Sequence, residues 1–155
     1  MDRRACTNTF LFPDVNVLLA LAHGIHPHHD VALSFFSEMD IAASGSFFYL
    51  CRFTQLGLLR LLTNRSAMGA DVLTQADAWA AYDRFSEFWN GTLLEEPPGI
   101  DKEFRRRTSR DEVSPKVWAD GYLAAFAAAG AMQLVTFDRG LSLRSKGSVL
   151  LRTAS

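Results

Sequence analysis

Cysteine is nearly missing from this chain, with only Cys6 and Cys51 among 155 residues. Two thiols cannot build a disulfide scaffold or a zinc ribbon, and such scarcity fits a reducing compartment. Long apolar runs are missing too: nothing approaches the roughly 18 consecutive apolar residues of a membrane span. The start, Met1-Asp2-Arg3-Arg4, leads into no apolar stretch of signal-peptide quality. Repeats, low-complexity tracts and linker-like segments are absent, which leaves one expected domain over residues 1–155. A cytoplasmic protein with no membrane partner is expected. Net charge is also close to nil, at −1.

Material for a core is abundant. Hydrophobic residues make up 48% of the chain and include twelve Phe and three Trp, far more than a solvated, disordered chain carries. The near-neutral total conceals an imbalance. Residues 1–100 carry 6 Lys or Arg against 11 Asp or Glu, whereas residues 101–155 carry 10 against 6. The stretch 139–155 holds Arg139, Arg144, Lys146 and Arg152 with no acid. Such a split points either to an anionic partner or to a solvated basic face.

Short apolar runs alternate with helical patterns. Thr9 to Phe12, Ser46 to Leu50, Leu93 to Glu95, Gln133 to Phe137 and Ser148 to Arg152 read as strands. Helices are expected from Val15 to His23, from His29 to Glu38 and from Phe53 to Leu62, the last stopped by Asn64. Thr74 followed by Asp77 resembles a capping signal for a helix through Phe88. Residues 101–113 suit a short helix plus loop. Ser114-Pro115 suits a helix start, with Gly130 as its C′ residue. Apolar strands alternating with helices predict an α/β fold, a parallel sheet covered on both faces.

Two strands end alike, in Phe10-Leu11-Phe12-Pro13-Asp14 and Leu134-Val135-Thr136-Phe137-Asp138. In open parallel sheets the ligand crevice lies beyond the carboxyl ends of the strands. Two acids projecting there concentrate negative charge, which is costly unless a cation intervenes. Asp120 is a third, set among Trp118, Ala119, Gly121, Tyr122 and Leu123 with no basic residue within three positions. Ligands that are all oxygen select Mg²⁺ or Mn²⁺ over zinc. Structural roles stand beside this reading: Asp14 can cap the helix from Val15, and Asp138 can make a turn.

These segments resemble the PIN-domain ribonucleases, and within them the VapC-type toxins of bacterial toxin–antitoxin pairs. The resemblance runs from about Phe10 to Leu141. It is carried by Pro13 to Ala20, the His26-Pro27-His28-His29 loop, Cys51 to Thr63, Trp118 to Ala127 and Leu134 to Asp138. It implies a three-layer α/β/α sandwich around a central, mostly parallel sheet. It also implies an endoribonuclease that uses Mg²⁺ or Mn²⁺ at Asp14, Asp120 and Asp138, with Asn16 and Thr136 orienting the carboxylates. A VapB-type antitoxin, an RNA substrate and a homodimer are the partners implied. One departure stands out: Gln55 occupies the place of a family Glu, keeping a carbonyl acceptor but losing a charge.

Arg106, Arg107, Arg110, Lys116, Arg139 and Arg144 are candidates for holding the RNA backbone, which gives affinity without sequence choice. A module that binds RNA or an antitoxin, its catalysis weakened by Gln55, is the main alternative. A Mg²⁺-dependent phosphatase is disfavoured, because Asn16 stands where such an enzyme wants a second acid two residues after Asp14. The four His residues between 23 and 29 read as a loop and helix start rather than a zinc site. Cys51 reads as a buried strand-end thiol. Trp79, Phe85, Phe88 and Trp89 read as core or a dimer surface.

Overall fold

Alternation along the strands divides the core in two. In the computed structural model, which describes residues 9–39 and 47–153, Leu11, Phe48, Leu50 and Val135 face one cluster of buried side chains. Their strand neighbours Phe12, Cys51 and Leu134 face another. Successive strand residues point to opposite faces, so a strand covered on both sides must be apolar throughout. Strand β1 (Phe10–Pro13) is buried in this way and is central.

The other strands are β2 (Phe47–Cys51), β3 (Gly91–Leu94), β4 (Gln133–Thr136) and β5 (Val149–Leu150). Their order is β3-β2-β1-β4-β5, and every pairing is parallel. The carboxyl ends of all five therefore lie at one edge. Residues from helices α1 (Val15–Ala22), α2 (His29–Glu38), α3 (Arg52–Leu62), α4 (Arg65–Met68) and α5 (Gln75–Phe88) build the first cluster. Residues from α6 (Ile100–Thr108), α7 (Val117–Ala129) and α8 (Arg139–Arg144) build the second. The result is the expected α/β/α sandwich. Among the described residues, no helix is long and apolar enough to cross a membrane.

Two glycines set helix spacing near the strand ends. A Cβ on Gly57 of α3 would stand 2.6 Å from Val15 Cγ2, so the missing side chain lets α3 close on the start of α1. A Cβ on Gly121 of α7 would stand 2.4 Å from Thr108 Cγ2, so the same device seats α6 on α7. Gly121 follows Asp120 in the chain.

Local expectations met mixed outcomes. Thr74 caps α5 as read, accepting from Asp77 N at 3.1 Å. Asn64, expected as a stop, also starts α4 by accepting from Ser66 N and Ala67 N. Ser114 is not the cap of α7; Lys116 holds that position and makes no side-chain cap bond. Gly130 ends α7 at φ −89°, and the left-handed residue after it is Ala131, at φ 52°. Cys6 and the first residue of the expected Ser46 strand lie outside the described residues.

Candidate active site

Asp14 is the first residue after β1 and the cap of α1, so one side chain serves two elements. Its Oδ1 accepts from Val17 N at 2.9 Å. Its Oδ2 accepts from the Thr136 hydroxyl at 2.5 Å, reaching across to β4. Its own N–H donates to Val135 O at 3.0 Å. The carboxylate is buried, with 4% of the residue exposed. Burial raises its pKa; the donors Thr136, Val17 and the Asn16 backbone oppose that, and Asp138 adds to it.

Asp138 mirrors this arrangement on the neighbouring strand. It caps α8, accepting from Leu141 N at 3.0 Å. Its N–H donates to Thr136 Oγ1 at 2.9 Å. The buried Thr136 hydroxyl therefore ties the two strand ends together. Asp120 enters from the first turn of α7, half-buried. Burial raises its pKa most, Asp138 raises it further, and Arg144 opposes both. A cation near Asp120 does exist, brought by the fold from 24 positions away in the chain. Asp14 is buried, Asp120 half-exposed and Asp138 exposed, so the acids step outward from floor to rim.

The two readings of Asp14 and Asp138 were never exclusive. Each carboxylate caps a helix with Oδ1 and keeps further lone pairs for another partner. Among the described residues, no three His, Cys, Asp or Glu side chains stand close enough to form a metal cage by themselves. The donor set is nevertheless all oxygen. Mg²⁺ characteristically takes one or two carboxylates and completes its shell with water and substrate phosphate. The chemistry of these acids fits that cation.

Thr136→Val tests how far the hydroxyl organises the site. It strands a buried Asp14 oxygen and the Asp138 N–H, so a stability loss of about 1–3 kcal/mol is expected in urea unfolding. Activity should fall by roughly 10–100-fold, the usual range for groups that orient ligands.

Other expected residues are placed as follows. Asn16 is exposed and reaches Asp14 through its backbone N–H. Gln55 is buried, but its partners are the Arg52 guanidinium, which donates to Oε1, and the Tyr82 hydroxyl. None of the three carboxylates has Gln55 among its partners. Arg106 pairs with Glu103 at 2.9 Å on the exposed face of α6. Arg107 is largely buried and donates to Arg144 O at 2.9 Å, joining α6 to α8. Its Nε lies 3.3 Å from Glu103 Oε2 without hydrogen-bond geometry. Arg110, Lys116 and Arg139 are exposed and form no ion pair among the described residues.

The histidines hold the loop between α1 and α2. His23 Nε2 meets Asp71 Oδ2 at 3.0 Å, His29 Nδ1 donates to Ala20 O, and His26 Nδ1 accepts from His28 N. The His28 ring lies 4.9 Å from that of Phe137, between Thr136 and Asp138 in the chain. Cys51 is buried and burial pushes its thiol pKa up, which keeps it protonated. Sequence reasoning missed Arg52, whose only signal is its i,i+3 spacing to Gln55.

Over 132 residues the chain is 42% identical to Ribonuclease VapC41 of Mycobacterium tuberculosis, covering 83% of this chain and 88% of the relative. It is 32% identical over 133 residues to Ribonuclease VapC44 of the same organism, covering 84% and 87%. Ribonuclease VapC29, also from that organism, is 31% identical over 143 residues, covering 92% and 96%. No family model matches the chain. The crystal structure of PAE2754 from Pyrobaculum aerophilum superposes with a TM-score of 0.57 over 92% of this chain and 90% of the other. Their sequence identity is 21%, so this likeness carries the fold alone.

Proposed function

The chain belongs to the family of VapC ribonucleases, and from that premise we propose that it is a Mg²⁺- or Mn²⁺-dependent endoribonuclease, the toxin of a toxin–antitoxin pair. Its acids are Asp14, Asp120 and Asp138. The observation that carries this reading is the position of Asp138, whose charge raises the pKa of both Asp14 and Asp120. A carboxylate that opposes the ionisation of two others makes a site that favours a cation.

Asp14 and Asp120 would hold the metal, with Asp138 as the third acid at the rim. A divalent ion bound there supplies an acidified water and charge neutralisation at the leaving oxygen. The chain's own residues prepare the ground for it. Thr136 and the Val17 N–H lock the Asp14 carboxylate in one orientation. The α8 cap holds Asp138, and Arg144 keeps positive potential beside Asp120. Arg110, Lys116, Arg139 and Arg144 would carry the RNA backbone. Arg106 is shared with Glu103, and Arg107 is committed to α8.

The partners follow from the same reading: an RNA substrate, a VapB-type antitoxin and a second copy of this chain, all in the cytoplasm. Trp79 and Phe88 of α5 expose 48% and 75% of their surface, which supports a protein contact there. Gln55 supports a second reading, a module that binds RNA with little cleavage, since its amide is spent on Arg52 and Tyr82.

The deciding experiment incubates the purified, partner-free protein with structured RNAs, with and without Mg²⁺ or Mn²⁺. Asp14→Asn and Asp120→Asn variants are run beside it. The ribonuclease reading expects metal-dependent cleavage lost in both variants; cleavage that survives both sinks it. RNA bound without cleavage under every metal condition selects the binding module.

A further inference from the structure

The carboxyl-end edge of the sheet carries a further concavity. Strands β1 and β2 pair with Phe10 opposite Phe47 and Leu11 opposite Phe48. On the far side of β2, Cys51 pairs with Leu94 of β3. Phe12, Cys51 and Leu94 share the core beneath α7. Asp14, two residues beyond Phe12, directly follows β1, the strand beside β2. At the carboxyl ends of β2 and β3 a cleft of about 480 Å³ opens, walled by Cys51, Arg52, Leu94, Glu95, Glu96 and Tyr122 among others, with none of the three acids in its lining. That volume is typical of small-ligand sites.

Its polar walls suit the two ends of a nucleotide. The Arg52 guanidinium is held by Gln55 Oε1, and Gln55 is itself buried and bonded to the Tyr82 hydroxyl. Among the described residues, no carboxylate lies within ion-pair distance of Arg52. An amide oxygen orients a guanidinium without neutralising it, so its charge and other donors are left for phosphate oxygens. Glutamate at 55 would cancel that charge.

Glu96 is fixed differently. Its Oε1 accepts from the Tyr122 hydroxyl at 2.8 Å, and the remaining lone pairs stay available. A carboxylate repels phosphate, so what it can take from RNA is a base edge rich in N–H donors. Guanine presents two adjacent donors, its ring N1–H and its 2-amino group, which match the two oxygens of one carboxylate.

We propose that this cleft seats a guanosine next to the scissile bond, with Arg52 on its phosphate and Glu96 on its base edge. Gln55 is the positioning residue that aims Arg52 and leaves it charged. The assignment rests on the ribonuclease reading and adds a source of sequence choice to it. It also gives Gln55 a purpose other than that of a lost metal ligand.

The test measures binding by fluorescence anisotropy in the Asp14→Asn background, which stops cleavage. The probe is a 12-nucleotide oligouridine RNA with one central guanosine, titrated across a salt series. Arg52→Ala should reduce the slope of log K against log salt by about 0.7, one phosphate contact on a single strand. Arg52→Lys should restore the slope. Gln55→Glu should give the slope of Arg52→Ala while its unfolding midpoint stays that of the parent. Replacing the guanosine by inosine, which lacks the amino group, should weaken binding roughly 5-fold or more, and Glu96→Gln should erase that difference. An unchanged slope in Arg52→Ala, or equal binding of inosine and guanosine, overturns the seat. A parent protein that binds no RNA at low salt instead overturns the ribonuclease reading beneath it.

Discussion

Asp14→Asn is expected to abolish ribonuclease activity and, with divalent cations chelated at neutral pH, to raise the unfolding temperature. The two effects have one cause. The Asp14 carboxyl is buried and its pKa lies above the ordinary 3.8, so its ionisation opposes the native state. A raised folded pKa means that its contribution to stability is fully present below the unfolded value and is lost as pH rises through the folded one. Asparagine does not titrate. It keeps an oxygen for the Val17 N–H, and the Thr136 hydroxyl, with two lone pairs, can accept from the new amide while still accepting from Asp138 N–H. The advantage of the variant should therefore be small near pH 4, grow as pH rises through the folded pKa, and then level off. Activity should drop by at least about 10²-fold, more than the loss of an orienting group gives. Thermal unfolding in chelator at pH 4, 6 and 8 checks the first effect and RNA cleavage the second. A variant less stable than its parent at pH 8 would contradict the burial argument even if activity were lost.

This coupling of cap and carboxylate explains what could be read from the residues and what could not. The parallel sheet was legible because β1, β2 and β4 are apolar on both faces, and only strands covered by helices need to be. Asp14 and Asp138 were legible because each follows such a strand. Asp120 was legible because a carboxylate among Ala, Tyr and Leu is costly, but the cation near it was not, since Arg144 arrives from another element. Long-range placement also decided the basic residues. Arg107 reads as a surface charge in the run Arg105-Arg106-Arg107, yet it is the one turned inward to the Arg144 carbonyl. Helix α4 escaped because four residues carry too little periodicity, and Asn64 ends one helix while starting the next. Gln55 was visible as a departure, but its attachment to Tyr82 of α5 depends on packing that sequence spacing does not reveal.

The second large effect concerns the cation itself. Adding Mg²⁺ or Mn²⁺ at about 100 times its dissociation constant should stabilise the native chain by about 2.7 kcal/mol. For a domain of this size that corresponds to a rise of about 5–11 °C in unfolding temperature. The size follows from linkage and the sign from the site: a ligand that binds ionised carboxylates only in the folded state must favour that state. Because Asp14 and Asp120 both have raised pKa values, protons compete with the metal above the usual carboxylate range, and the stabilisation should fade as pH drops through those folded pKa values. Asp14→Asn reverses the order of the two proteins. The variant melts above the wild type in chelator and below it in saturating metal, because only the wild type gains. Asp120→Asn should lose most of the metal response but gain less in chelator, since Asp120 is only half-buried and water already screens its charge. Differential scanning fluorimetry across a metal titration at pH 5 and pH 8 separates these cases. A wild-type midpoint that ignores both metals at pH 8 would leave the three acids without a cation and remove the basis for metal-assisted hydrolysis. A crossing of the wild-type and Asp14→Asn midpoints would tie the instability of the empty acid pocket to the function proposed for it.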